Sequence, residues 1–178
     1  VGDDPLIFQQ CQNGALVAEQ AVPGAYQQVC MSLPIRNVPI AVPASRLYQP
    51  RSQPGTVQLQ LEQGGAAAGT TGLAVWNSSL LLSRLLQALV VADDTAAAVD
   101  GVKKGALLSS QSSVWELGCG TGLVSLTTAA LGAGSVQATD GNTAVVELAK
   151  RNLEKNRSRM PNANCQLEAM QLPWGLLD

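Results

Sequence analysis

Apolar and polar residues follow different periods in the first and last thirds of the chain. Two short runs, Tyr26–Leu33 and Thr56–Glu62, alternate with a period of two and predict β-strands. They lie within residues 1–70, which are rich in Gln and hold seven of the nine prolines. Prolines at this density exclude long helices and central strands. We therefore predict an N-terminal extension over residues 1–70 that contains a small antiparallel β-hairpin with a Pro-rich loop.

A helical pattern follows a glycine-rich connector at Gly64–Gly72. The apolar stretch Leu73–Val91 predicts a buried helix, with Thr70 or Thr71 as its capping residue. A membrane span is disfavoured because the charged side chain of Arg84 lies near the centre of this stretch.

Strands and helices alternate regularly over residues 113–168. The predicted strands are Ser113–Leu117, Ser135–Thr139 and Asn164–Glu168, and the predicted helices are Leu123–Leu131 and Thr143–Asn156. This order predicts a parallel sheet with crossover helices, as in a Rossmann-like, doubly wound α/β fold. We expect the sheet to be truncated after its third strand, so that residues 71–178 form the N-terminal part of such a domain.

The composition narrows the range of functions. With a net charge of -2 and 13% charged residues, the chain lacks the basic stripe that binds nucleic acid, and no membrane contact is expected. The sequence contains no histidine, which removes most zinc sites and the usual general base, so we expect no metal. The four cysteines are far apart and no secretory signal is recognisable, so we expect reduced thiols in a cytoplasmic protein.

Three glycines stand at alternate positions in Glu116–Gly122 (E-L-G-C-G-T-G), between a predicted strand and a predicted helix. Glycine at such a turn lets the backbone approach a ligand closely. A dinucleotide fold uses G-x-G-x-x-G here, so that pyrophosphate meets a helix N-terminus. The different glycine spacing disfavours a nicotinamide dinucleotide. The carboxyl group of Glu116 suits a cationic ligand, such as the sulfonium and amino groups of S-adenosylmethionine.

A second acid, Asp140, ends the next predicted strand, 18 residues after Gly122. A carboxylate at this place can accept hydrogen bonds from both ribose hydroxyls of a cofactor, by the geometry that dinucleotide folds use. Asp140-Gly141-Asn142 could also be a plain turn, but the glycine loop, the strand and the spacing agree with each other. Together they predict that the chain binds S-adenosylmethionine.

Several segments resemble, in the same order, those of seven-strand (class I) S-adenosylmethionine-dependent methyltransferases, and in particular the protein-lysine methyltransferases that modify non-histone proteins. The resemblance covers Gly69–Gly175 and rests on residues 69–86 (GTTGLAVWNSSLLLSRLL), 114–126 (VWELGCGTGLVSL), 138–142 (ATDGN) with 151–156 (RNLEKN), and 172–175 (LPWG). It implies that Trp76 lies beside the cofactor and that Trp174 lies near the adenine, although either could instead anchor the core. The predicted cofactor-binding residues are Trp76, Glu116, Gly118, Cys119, Gly120, Thr121, Gly122, Asp140, Gly141, Asn142 and Trp174.

We predict structural roles, and no contact with a ligand, for one tryptophan and two asparagines near these motifs. Trp115, in the first strand of the parallel sheet, is most simply a core residue, and we interpret Asn152 and Asn156 as residues that organise a helix end. A nucleophilic role for Cys119 is disfavoured because no neighbour in the sequence could activate its thiol.

The resemblance implies an enzyme that N-methylates a lysine side chain of a protein substrate. The lysine amine would attack the methyl carbon in line with the sulfur, and a neutral thioether would leave. Two alternatives stay open: a small-molecule N-methyltransferase, and a non-catalytic binding or scaffold protein with a degenerate methyltransferase fold. The family's acidic-aromatic motif near the substrate follows a fourth strand and has no counterpart in this sequence, so no catalytic residue is assigned.

Overall fold

The computed structural model describes residue 31 and residues 33–46, 55–64, 70–95 and 107–175. Its strands are β1 (Ile35–Val42), β2 (Gly55–Glu62), β3 (Ser113–Leu117), β4 (Ser135–Asp140) and β5 (Gln166–Gln171). Its helices are α1 (Asn77–Thr95), α2 (Leu123–Ala130) and α3 (Thr143–Asn156), with short 3-10 turns at Ala44–Arg46, Thr71–Leu73 and Arg157–Arg159. In the part of the chain described, no helix is long and apolar enough to cross a membrane.

The parallel sheet follows the order β3-β4-β5 and confirms the predicted mixed α/β arrangement. Val114 is aligned with Val136, and Val136 with Leu167. The connections between these strands run through α2 and α3, which pack against the sheet and bury Val136, Ala138 and Leu167. The sheet therefore has one apolar face that the two crossover helices cover.

The third strand of this sheet begins and ends later than predicted. Asn164 lies in a turn instead of a strand, because the N–H of Cys165 donates to the Asn162 carbonyl at 3.1 Å and the N–H of Asn164 donates to Asn162 Oδ1 at 3.0 Å. Asparagine side chains commonly stabilise such turns. Strand β5 also extends past its predicted end, because Gln171 still pairs with Asp140.

The N-terminal strands form an antiparallel pair, in which Ile35 faces Glu62 and Val42 faces Gly55. The predicted second strand, Thr56–Glu62, is confirmed. The predicted first strand, Tyr26–Leu33, is wrong where it is described, since Met31 is helical; most of it lies outside the described residues.

The first strand contains Pro39, which the proline density had led us to place in a loop. The N–H of Ala41 points away from β2 and donates to Gln87 Oε1 in α1, at 2.8 Å. Pro39, two residues earlier, faces the same way along the strand. Its missing N–H therefore costs no hydrogen bond of the antiparallel ladder.

Helix α1 begins four residues later than predicted, and neither Thr70 nor Thr71 caps it. Thr71–Leu73 forms a separate 3-10 turn in which the Thr70 side chain makes no capping bond, and Ala74 is extended (φ -131, ψ 157). The carbonyl of Trp76 then accepts hydrogen bonds from the N–H groups of Ser79 and Leu80, which starts the helix.

A single apolar core joins the antiparallel pair to the helices and the parallel sheet. Ile40 and Leu59 of the pair are fully buried and belong to the same cluster as Leu126 of α2 and Val136 of β4. The division into residues 1–70 and 71–178 stays a prediction. Within the described residues, packing crosses that boundary without a break.

Trp115 is not a core residue, and that interpretation is wrong. Its side chain is 59% exposed, and Leu117 on the same face of β3 is 58% exposed. Alternate side chains of a strand point to opposite faces, so Trp115 and Leu117 lie on the face opposite Val114, which packs against the core. The apolar composition of β3 therefore did not predict which of its side chains are buried.

Candidate cofactor site

A cleft of about 510 Å³ opens where β3 and β4 end. This edge, at the carboxyl ends of parallel strands, is where open α/β sheets bind ligands. The lining residues are Thr70, Thr71, Gly72, Trp76, Gly118, Gly120, Asp140, Asn142 and Val145. Five of these nine residues were predicted from the sequence, and Thr70, Thr71, Gly72 and Val145 were not.

The glycine loop, residues 118–122, forms one wall of the cleft. Gly118, Gly120 and Gly122 have φ values of 71, 53 and 81, a left-handed conformation that costs other residues strain. Cys119 and Thr121, which alternate with them, are buried and do not line the cleft. The loop thus presents backbone, and no side chains, to a ligand.

Asp140 connects the glycine loop to the end of β4. Its Oδ2 accepts from the N–H of Gly120 at 3.3 Å, and its Oδ1 accepts from the N–H of Asn142 at 3.0 Å. An ionised carboxylate has about four acceptor positions, so both oxygens can accept further hydrogen bonds from a ligand. Asn142 caps α3 by accepting from Ala144 and Val145. These residues can therefore form a turn and also bind a ligand.

The opposite wall is the segment Thr70–Trp76, which we call the upstream wall. Trp76 is 39% exposed, and its indole Nε1 donates to the Thr71 carbonyl at 2.6 Å. Gly72 packs so tightly against α3 that an added Cβ would lie 2.7 Å from Val145 Cγ2. We had predicted Gly72 to be part of a glycine-rich connector. The signal of this role was its place within residues 69–86, the segment that resembles the family and contains Trp76.

Trp174 lies at the rim of the cleft. Its Cζ2 atom is 3.9 Å from the position that a Cβ on Gly118 would occupy, and the side chain is 69% exposed. The preceding residues run beside Gly141, because the N–H of Leu172 donates to the Asp140 carbonyl at 2.9 Å. The exposure of Trp174 and of Trp76 excludes a core-anchor role for either residue in this structure.

The model of the lysine methyltransferase family matches residues 55–177, which is more than half of the chain. The chain belongs to this family. The predicted resemblance to S-adenosylmethionine-dependent lysine methyltransferases is thereby confirmed, and the match extends it upstream to the first residue of β2. Both walls of the cleft and Trp174 fall within the matched residues.

Glu116 lies behind the glycine loop and does not line the cleft. Its carboxyl group accepts a hydrogen bond from Ser125 Oγ of α2. Burial raises the pKa of Glu116 to about 7; the bond from Ser125 opposes this rise, and the charge of Asp140 adds to it. Glu116 is therefore partly protonated near neutral pH.

Cys119 is unsuited to nucleophilic chemistry in this family member. Burial, together with the nearby carboxyl groups of Glu116 and Asp140, raises the pKa of its thiol to about 12. The thiolate is the reactive form of cysteine, and it is essentially absent at neutral pH. Among the described residues, no group of three or more His, Cys, Asp or Glu side chains could hold a metal ion.

Proposed function

We propose that this chain binds S-adenosylmethionine in the cleft and N-methylates a lysine side chain of a protein substrate. The observation that carries the proposal is the charge of the cleft lining. The lining contains the carboxylate of Asp140 and neither lysine nor arginine among the described residues. A pyrophosphate would meet no countercharge there, whereas a cationic sulfonium or ammonium group suits the site.

The shape of the site also fits this cofactor. A cleft of about 510 Å³ lies within the usual range for small-molecule sites. Asp140 has acceptor capacity left for two ribose hydroxyls, the glycine loop allows close backbone approach, and Trp76 offers an aromatic surface. Family membership supports the same choice, because methyltransferases of this family generally use S-adenosylmethionine.

When bound, S-adenosylmethionine supplies an electrophilic methyl group on sulfur. The residues of this chain would hold and align the nucleoside end, and such alignment is a large part of catalysis for two bound reactants. The lysine amine must be neutral to react, and its ordinary pKa is about 10.4. The amine must therefore lose its proton before it attacks the methyl carbon. We assign that proton to none of the described residues, and we propose that their task is to position the cofactor.

The protein substrate and the cytoplasmic location belong to the same proposal. The family name supports lysine as the methyl acceptor. Cys119 and Cys165 are free thiols in buried positions, which fits a reducing compartment. Incubation with S-adenosylmethionine and protein extract, followed by mass spectrometry, should find methyl groups on lysine. Methylation confined to small amines would instead favour the small-molecule alternative.

The cofactor proposal is tested by calorimetric titration of the chain with S-adenosylmethionine. We expect saturable binding, and we expect Asp140→Ala to weaken it by about a hundredfold or more, because the change removes the acidic acceptor and two bonds that shape the loop. Glu147→Ala is the matched control, since it removes an exposed carboxylate of α3 that pairs with Lys150. A folded wild-type chain that binds nothing would contradict the proposal and favour a scaffold.

A further inference from the structure

Two buried asparagines of α3 bind the antiparallel pair in the same way. Asn152 accepts from the N–H of Glu62 at 2.7 Å and donates to the Glu62 carbonyl at 3.1 Å. Asn156, one helical turn later, accepts from the N–H of Gln60 at 2.8 Å and donates to the Gln60 carbonyl at 2.9 Å. Both side chains are fully buried. They satisfy alternate backbone groups of β2 that would otherwise lack partners at this edge.

The two asparagines differ in their remaining hydrogen bonds, which for Asn156 include one accepted from Arg159 Nη1 at 3.3 Å. Asn152 Nδ2 also donates to the carbonyl of Thr121, in the glycine loop, at 2.9 Å. Asn156 Nδ2 instead donates to the carbonyl of Asn152, within its own helix, at 2.8 Å. We had predicted that both residues organise the end of a helix. For Asn156, this describes only the bonds with Asn152 and Arg159. Asn152 joins β2 to one wall of the cleft.

The other wall is joined to the same pair of strands through Gln63, which directly follows β2. The Gln63 side chain accepts from the N–H of Val75 at 2.7 Å and donates to the Leu33 carbonyl at 2.7 Å. Arg36 of β1 donates to the carbonyl of Val75 at 3.2 Å. The N–H and the carbonyl of Val75, the residue before Trp76, are thus both hydrogen-bonded. Gln63 and Arg36 are buried, so these bonds are shielded from water.

We propose that the β1–β2 pair positions both walls of the cofactor cleft, with Asn152 and Gln63 as the positioning residues. Neither side chain lines the cleft. Asn152 acts through the Thr121 carbonyl, and Gln63 acts through the N–H of Val75. The proposal rests on the proposed cofactor function, and it gives the N-terminal strands a role at the site beyond covering the core.

The near identity of Asn152 and Asn156 provides a matched pair of variants. Asn152→Ala and Asn156→Ala each remove a two-point bond to β2 from the same helix, so both should lower stability to a similar degree. Only Asn152→Ala releases the glycine loop. We expect it to weaken S-adenosylmethionine binding by about tenfold or more, because small displacements of positioned groups are costly, while Asn156→Ala stays within about twofold of the wild type.

Gln63→Met tests the upstream wall with a side chain of similar length, and Gln63→Glu keeps an acceptor for the Val75 N–H. We expect the affinity of Gln63→Glu to lie between those of the wild type and Gln63→Met. Partial recovery of this kind would not follow if Gln63 served the core alone. Equal losses of affinity in Asn152→Ala and Asn156→Ala, or wild-type affinity in both Asn152→Ala and Gln63→Met, would overturn the proposal.

A second measurement needs no cofactor. Amide hydrogen exchange should become faster at residues 118–123 in Asn152→Ala and at residues 71–76 in Gln63→Met, and at neither segment in Asn156→Ala. If the wild type binds no S-adenosylmethionine, the cofactor proposal fails, and this exchange pattern still decides whether the two residues position the walls. Uniform exchange across all three variants would overturn the positioning proposal by itself.

Discussion

The two walls of the cleft are held in place by different kinds of interaction. The glycine loop takes its shape largely from its own backbone, with left-handed glycines and a bond from the N–H of Gly122 to the Cys119 carbonyl. Asp140 and Asn152 each add one side-chain bond to it. The upstream wall has fewer local constraints, which are the 3-10 turn at Thr71–Leu73 and the bond from Trp76 Nε1 to the Thr71 carbonyl. Its conformation depends on Gln63, 12 residues away from Val75 in the chain, and on Arg36, 39 residues away.

Both walls fall in segments that resemble the family, but only the glycine loop could be assigned a ligand-binding role from its own residue spacing. A turn built from glycines needs those residue types at fixed spacing, whatever surrounds it. A segment held by distant side chains carries less of a local pattern, because those side chains bind its backbone groups, although Gly72 leaves no room for a Cβ. The two walls should therefore respond differently to substitution, and the following variants test that expectation.

Gly72→Ala should have the largest effect on the cleft, because it forces the upstream wall away from α3. An added Cβ would lie 2.7 Å from Val145 Cγ2 and 2.9 Å from Val145 Cγ1. We expect a loss of about 1–3 kcal/mol in the free energy of unfolding, together with weaker cofactor binding. Denaturant unfolding and calorimetry measure the two effects.

The control for this variant is the double substitution Gly72→Ala with Val145→Ala. Removing both γ-carbons makes room for the new Cβ, so the double variant should recover part of the stability lost by Gly72→Ala alone. Additive losses in the double variant would show that the tight contact between Gly72 and Val145 is not what limits this wall.

Glu116→Gln should make stability less dependent on pH. The pKa of Glu116 is raised in the folded state to about 7 from an ordinary 4.5, so the stability that its neutral form contributes is present below pH 4.5 and is lost as the pH rises to 7. At pH 8 the variant should exceed the wild type by on the order of 2–3 kcal/mol in the free energy of unfolding.

Unfolding curves collected from pH 4 to pH 8 for both proteins would measure this difference. Glu147→Gln, which neutralises an exposed carboxylate on α3, should leave the shape of the wild-type pH profile unchanged. A wild type whose stability does not fall relative to Glu116→Gln between pH 4.5 and 7 would contradict the raised pKa of Glu116.

Gly118→Ala should have the smallest effect of the three, because its cost is local strain. Gly118 has a φ of 71, and the nearest atom to an added Cβ is Trp174 Cζ2 at 3.9 Å, so there is room for the methyl group. We expect a loss of about 1–2 kcal/mol from the left-handed backbone alone, measured by thermal or denaturant unfolding.

Gly118→Asn sharpens this test because asparagine tolerates the left-handed conformation better than alanine does. It should therefore be the more stable of the two variants, despite its larger side chain. The opposite order would mean that packing around Gly118, and not backbone strain, limits the glycine loop.

Much of the parallel sheet could be predicted from the sequence. Helix α3 has the predicted bounds, Thr143–Asn156, because its apolar spacing is regular and Asn142 supplies a local cap. The glycine loop and Asp140 also lie together as predicted. Trp115 was misplaced because a period of two assigns residues to two faces without saying which face is covered.

The sequence by itself determined the order of strands and helices over residues 113–171 and the chemistry of the glycine loop, since both depend on neighbours within a few positions. Only the tertiary structure decided where β1 lies, where α1 begins and that Gly72 contacts Val145. It also decided that Asn152 joins Glu62, 90 residues away, to Thr121, 31 residues away. Partners at such separations are brought together by the packing of the whole core, and a local pattern carries no record of them.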